Sequence, residues 1–271
     1  MSESTHVVFI HGLWIHSTAW EAWERLFRER GYQTSAPGWP GDRATVAETR
    51  AHAAELAGVG IDDITAAYRE HIATLPSKPI VIGHSFGGLI AQKLLASGDA
   101  SAAVAIDPGQ IKGVKPLPLA QIRSALPVLK NPGNKKRAIS LTPAQFRYGF
   151  GNAISETESN ALHAQWTIPG PGRPLFEASS ANFSRVSPAA VDTKTSDRGP
   201  LLFIAGGKDH TVPEVVVKAA YGLYSGSTAV TDLRVFPDRG HSLVLDDGWR
   251  TVADAALEWL AAQSAQALDA A

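Results

Sequence analysis

A serine hydroxyl is a poor nucleophile unless the fold lifts it clear of its neighbours and a base can take its proton. The stretch Pro79-Ile80-Val81-Ile82-Gly83-His84-Ser85-Phe86-Gly87-Gly88 offers such a place. Ile80 to Gly83 follow Lys78-Pro79 and read as a short buried strand. A helical pattern starts directly after Ser85, with Leu89, Ile90, Leu94 and Leu95 as its apolar stripe and Gly98 as its stop. Ser85 therefore falls where a strand turns sharply into a helix. Gly83 and Gly87 lie two residues to either side, where a side chain would block the close approach of strand and helix. This is the G-x-S-x-G nucleophile elbow in the context that it requires, and Ser85 is the candidate nucleophile.

Elements elsewhere bring other reactive side chains to similar positions. His6 to Ile10 form an apolar, β-branched strand that ends at His11-Gly12. Tyr32 to Ala36 read as a second strand. Ala102 to Ile106 lead into Asp107-Pro108, Pro200 to Ala205 into the loop carrying Asp209 and His210, and Leu233 to Phe236 into Gly240-His241-Ser242. Between the strands lie helical patterns. Trp20, Trp23, Leu26 and Phe27 follow a capping-box signature at Thr18-Ala19-Trp20-Glu21. Further patterns cover 44–57, 63–75 with Asp62 as cap, 214–224, and a C-terminal stretch with Trp249, Val252, Ala256, Leu257 and Leu260 on one face.

Six strands alternating with helices imply right-handed crossovers and a mostly parallel sheet covered on both faces. In such sheets the reactive residues gather at the carboxyl ends of the strands. His11, Ser85, Asp107, Asp209 and His241 should then share one edge. From about 112 to 195 the alternation stops. Helical patterns at 119–129, 144–150, 156–166 and 175–183 are separated by joints such as Ile168-Pro169-Gly170-Pro171-Gly172. This reads as an insertion on a single domain, giving a core of 1–111 and 196–271 and a helical cap of 112–195.

Composition removes other classes of function. The 271 residues are 44% hydrophobic and carry a formal net charge of −1, enough for a sizeable core and without a charge signal for nucleic acid or an anionic membrane. There is no cysteine, so thiolate chemistry and disulfides are excluded. No His-x-x-x-His or His-Glu-x-x-His pattern suggests a metal, and no cofactor is expected. The polar start and the lack of a long apolar run point to a soluble, cytoplasmic protein, monomer or homodimer, whose partner is a small molecule.

The segments His11-Gly12, Gly83-His84-Ser85-Phe86-Gly87, Gly207-Lys208-Asp209-His210-Thr211-Val212-Pro213 and Gly240-His241-Ser242 resemble the α/β-hydrolase superfamily, in particular its small bacterial esterase and non-haem haloperoxidase-like branch. The likeness covers about 5–110 and 198–262. It departs from the family in having only five residues before the first strand, which implies a sheet shortened to about six strands.

The resemblance implies a Ser85, Asp209, His241 triad. His241 would take the hydroxyl proton, and Asp209 would fix its tautomer. Asp107 is the rival acid, set aside because Gly-x-Asp-x-x-Val-Pro matches the usual acid loop. The oxyanion donors would be the N–H groups of Phe86 and Leu13, with Trp14 as an alternative, and Trp14, His16 and His84 are candidate pocket residues. Aromatic residues of the insertion, Phe146, Tyr148, Phe150, Trp166, Phe176 and Phe183, would supply part of the lining, and Arg147, Arg173 and Arg185 leave open a charged substrate. The expected activity is hydrolysis of a small, moderately apolar ester or lactone through an acyl-enzyme. The alternatives are amide or carbon–carbon hydrolysis, perhydrolysis or a lyase reaction on the same triad, and a non-catalytic binding protein.

Overall fold

The computed structural model describes residues 5–269. Six strands form its main sheet: β1 (His6–Ile10), β2 (Gln33–Ser35), β3 (Ile80–His84), β4 (Ala102–Ile106) and, after the insertion, β7 (Leu201–Gly206) and β8 (Thr231–Phe236). Their order is β2-β1-β3-β4-β7-β8, and every pairing is parallel. β3, β4 and β7 are buried along their whole length, which explains why they read as unbroken apolar runs.

Side chains alternate across the strands, so the sheet divides the core into two layers. Val8, Ile10, Val81, Ala103, Ala105, Leu201 and Phe203 face α3 (Ile61–Ala73), α4 (Phe86–Ala96) and α9 (Glu214–Gly222). Val7, Phe9, Ile82, Val104, Ile106, Leu202 and Ile204 face α1 (Glu21–Glu29) and α10 (Trp249–Asp269). On that side Phe9 packs against Trp20, Trp23 and Phe27, with ring centroids 5.0, 6.3 and 5.3 Å away. The tryptophans are core residues.

Three local expectations fail. α1 begins at Glu21, not behind a Thr18 cap. His16 caps a short 3₁₀ turn, Ser17–Trp20, by accepting from the Thr18 N–H, because its imidazole is packed inward and available. The helix expected over 44–57 breaks into α2 (Val46–Ala51) and a 3₁₀ turn at Ala53–Leu56. α3 starts after Gly60, whose N–H donates to Asp63, so Asp62 is not its cap.

Between β4 and β7 the chain forms α5 (Leu119–Leu129), α6 (Pro143–Gly149), α7 (Glu156–Trp166) and α8 (Arg173–Ser179), with a two-stranded antiparallel piece, β5 (Ala138–Ile139) and β6 (Gly170–Pro171). Its buried side chains, among them Phe146, Phe150 and Leu162, belong to the same apolar cluster as α3 and α4. Polar ties add to this. Ile168 N–H donates to Trp14 O and His16 N–H to Trp166 O. Glu177, on α8, accepts from Ile61 N–H at the start of α3, where a carboxylate also meets the positive end of the helix dipole.

Candidate active site

Ser85 joins β3 to α4 with φ 57° and ψ −124°, a conformation that an L-residue adopts only when its surroundings enforce it. They do. Its N–H donates to Ile106 O at 2.9 Å, and its carbonyl accepts from Gly88 N–H at 2.9 Å and Gly109 N–H at 2.7 Å. A Cβ on Gly83 would stand 2.0 Å from Gly87 O, and one on Gly87 would stand 2.1 Å from Ile10 O. The two glycines are required by backbone meeting backbone. Trp14 (φ 68°) and Asp107 (φ 39°) also have positive φ. These three residues follow β1, β3 and β4, which are neighbours, so the local strain gathers at one edge of the sheet.

His241 follows β8 and is fully buried. Its Nδ1 lies 2.5 Å from Asp209 Oδ2. The other oxygen of Asp209 accepts from Thr211 N–H at 2.6 Å and Val212 N–H at 2.8 Å, which holds the carboxylate in place. The imidazole packs between the ring of His84 at 4.6 Å and the edge-on ring of Phe150 at 4.6 Å. Since His84 immediately precedes Ser85, this contact sets His241 beside the elbow. Its Nε2 is buried without a hydrogen-bond partner. No hydrogen bond joins it to Ser85 Oγ among the described residues, a spacing common before substrate binds.

The loop after β1 lies directly against the serine. A Cβ on Gly12 would be 2.6 Å from Ser85 Cβ. Neither Leu13 N–H nor Phe86 N–H donates to any group among the described residues, and Phe86 is the first residue of α4. Trp14 closes this loop by donating from Nε1 to Ile139 O at 2.9 Å.

Asp107 is fully buried. Gly206 N–H donates to its Oδ1 at 2.7 Å, while Oδ2 has no partner. Burial first, and the nearby Asp209 charge second, push its carboxyl well above the ordinary carboxylate range. His84 is driven the other way. Burial holds it well below the usual histidine range, and the proximity of His241 adds to this. One ligand atom from each of His84, Asp107 and His241 lies within 4.8 Å of the others. A metal bound there would have to share His241 with Asp209.

A cavity of about 340 Å³ opens at Ser85. Trp14 and Phe86 line it, together with Ile122, Leu126, Leu175 and Val212. Two expected pocket residues do not. His16 is held away, its ring nitrogens 2.8 Å from Thr18 Oγ1 and 3.0 Å from Arg43 O. His84 is buried behind the serine against His241. Of the aromatic residues of the insertion, only Phe183 is in the lining. Phe146 and Phe150 instead stack on each other at 4.9 Å, and Tyr148 takes the Arg123 guanidinium on its face at 4.0 Å. Arg173 is paired with Glu177 and Asp63, so it is not free for a charged substrate. Sequence reasoning missed Ile122, Leu126 and Leu175. They sit at helical spacing, but period alone does not say which face of an inserted helix meets the nucleophile.

Residues 7–255 match the alpha/beta hydrolase family. The chain belongs to that family. A search of curated proteins finds no match. Among solved structures, the hydrolase resembles a methylesterase from Arabidopsis, with a TM-score of 0.66 and 16% identity over 95% of this chain and 99% of that one. It also resembles an extracellular alpha/beta-hydrolase from a Paenibacillus species, TM-score 0.66 and 19% identity over 94% and 98% of the two chains. A pyrethroid hydrolase from Sphingobium faniae gives TM-score 0.63 and 16% identity over 94% and 97%. At these identities the likeness is one of fold. The parallel six-stranded sheet with flanking helices is the alpha/beta hydrolase fold.

Proposed function

We propose that this alpha/beta hydrolase is a serine esterase for small, moderately apolar carboxylic esters or lactones, with Ser85, His241 and Asp209 as its triad. The observation that carries this is the buried His241 imidazole. One nitrogen is fixed by Asp209 and the other is left without a partner beside a strained serine. Ser85 Oγ attacks the substrate carbonyl carbon and its proton passes to His241 Nε2. Asp209 stabilises the imidazolium through Nδ1–H. The tetrahedral oxyanion takes the unused N–H groups of Phe86 and Leu13, the first at a helix start where the dipole also favours negative charge. Collapse of this intermediate breaks the carbon–oxygen bond, and the leaving alcohol takes the proton from His241. Water, activated by the same imidazole, then attacks the acyl-enzyme and returns Ser85.

The lining favours apolar groups, because Ile122, Leu126, Leu175 and Val212 cannot replace the hydration of a charge, and Lys115 is the one charged side chain among the lining residues. The segment 112–195 would act as the cap that shapes this selection. The test is hydrolysis of p-nitrophenyl butyrate together with labelling by a fluorophosphonate. Wild type should turn over the ester and take the label. Ser85→Ala should lose about 10⁴–10⁶-fold in rate and all labelling, with its melting temperature unchanged. Labelling that persists in Ser85→Ala would sink the assignment.

A further inference from the structure

The chain as a whole is nearly neutral, but its charge is unevenly distributed. From Pro108 to Ser155 there is no Asp or Glu, while Lys112, Lys115, Arg123, Lys130, Lys135, Lys136, Arg137 and Arg147 fall within that stretch. Among the described residues, no carboxylate lies within ion-pair distance of Lys115, Arg123, Lys130 or Arg185. The same region displays apolar side chains to solvent: Phe183 is 92% exposed, Leu119 83%, Leu117 62% and Leu126 49%. A buried core gains nothing from them. Three of the four, Leu117, Leu126 and Phe183, also line the cavity that holds Ser85, as does Lys115.

The two features occupy one surface. Leu119, Ile122, Leu126 and Leu129 make a stripe along α5, and Arg123 and Lys130 stand four residues after Leu119 and Leu126, on its flank. Arg185 lies two residues beyond Phe183. Lys112 Nζ donates to the carbonyls of Ser184 and Arg185 at 2.8 and 2.9 Å, which fixes that loop beside the stripe. An exposed apolar stripe flanked by cations without a carboxylate partner, Lys130 and an Arg123 that rests on the Tyr148 ring, is the composition of a helix that lies in a lipid interface.

We propose that this face docks on a bilayer surface containing anionic lipid, so that the cavity opens toward the membrane and receives apolar esters from it. Exposed leucines and Phe183 enter the headgroup boundary while the cations meet lipid phosphates. A second copy of the chain is a worse occupant. An isologous pair through this face would set its cations against their own copies. The proposal rests on the esterase reading only for the esters that the cavity receives, and its test reads binding, not turnover.

The test is co-sedimentation of the Ser85→Ala protein with vesicles of phosphatidylcholine alone and of phosphatidylcholine with phosphatidylglycerol. The protein should pellet with the anionic vesicles only. Added salt that shortens the screening length from about 10 Å to about 3 Å should release it. Lys115→Gln, Arg123→Gln and Lys130→Gln should each weaken partitioning by about five-fold, and Leu119→Ser with Phe183→Ser should abolish it. Three outcomes overturn the proposal: no pelleting with either vesicle, equal pelleting with both, or a concentration-dependent dimer that the double serine variant dissolves.

Discussion

Around Ser85, one added methyl group would meet a backbone oxygen at 2.0 to 2.1 Å on Gly83 or Gly87. Along α5, Leu119 is 83% exposed and Leu126, at 49%, is half exposed. Ser85 of the first region and Leu126 of the second line the same cavity. The first is held by main-chain contacts that leave no choice of side chain. The second is made of side chains that can change at little cost to the fold. In the proposed function, chemistry is fixed by the backbone of the sheet edge, and the choice of substrate falls to a surface that tolerates substitution.

The sharpest test of that division is within the rigid region. Asp209→Asn should lower kcat/KM by about 10⁴-fold, because the histidine loses the partner that fixes its tautomer. Asp107→Asn should cost less than ten-fold, since Asn can still accept from Gly206 N–H. Steady-state kinetics on p-nitrophenyl butyrate decide it, and equal losses would mean that both carboxylates serve His241.

Stability should divide in the same way. Gly87→Ala places a Cβ against Ile10 O and should prevent folding or cost several kcal/mol, whereas Leu119→Ser should stay within about 0.5 kcal/mol. Urea unfolding followed by circular dichroism measures both. A Gly87→Ala protein with wild-type stability would show that the elbow has slack.

The permissive side should govern chain length. Ile122→Ala removes about three carbons from the cavity wall, and each buried methylene is worth about 0.8 kcal/mol. kcat/KM for octanoate esters should fall several-fold while that for acetate is unchanged. An equal fall for both would place Ile122 in the machinery of the elbow.

A further test concerns pH. The Asp107 carboxyl is pushed up in the folded protein. Its stabilising contribution is therefore complete below the ordinary Asp range and is lost as pH rises toward the folded value, by about 1.4 kcal/mol per unit over that window. Asp107→Asn removes this slope, so its melting temperature relative to wild type should climb as pH rises above about 4. A difference that stays flat with pH would mean that Asp107 titrates as an ordinary carboxyl.

Much of the sheet was legible because its signals are local and redundant. The β3 run ends at the elbow, and α5 and α7 begin and end where their periodicity places them. Thr18 misled because the capping group was His16, an imidazole doing the work of a hydroxyl. The lining was least legible. Aromatic residues were expected there, yet Phe146 and Phe150 satisfy each other, and aliphatic residues of α5 and α8 take the place. The surplus of cations on the insertion was hidden because acidic residues elsewhere cancel it in the net charge.

Phe150 belongs to the insertion, yet its ring lies on His241 and its carbonyl accepts from Ser242 N–H at 3.2 Å. Asn152 donates in turn to Lys208 O, next to Asp209. His241 and Asp209, the base and acid of the proposed triad, are therefore both touched by the segment that helps to line the cavity. If the proposed triad acts on esters, one too bulky for the cavity should push on the insertion and, through Phe150, on the imidazole. Its handicap then appears as slow turnover with KM little changed, and oversized esters should act as occupants that block the enzyme more readily than they are consumed by it.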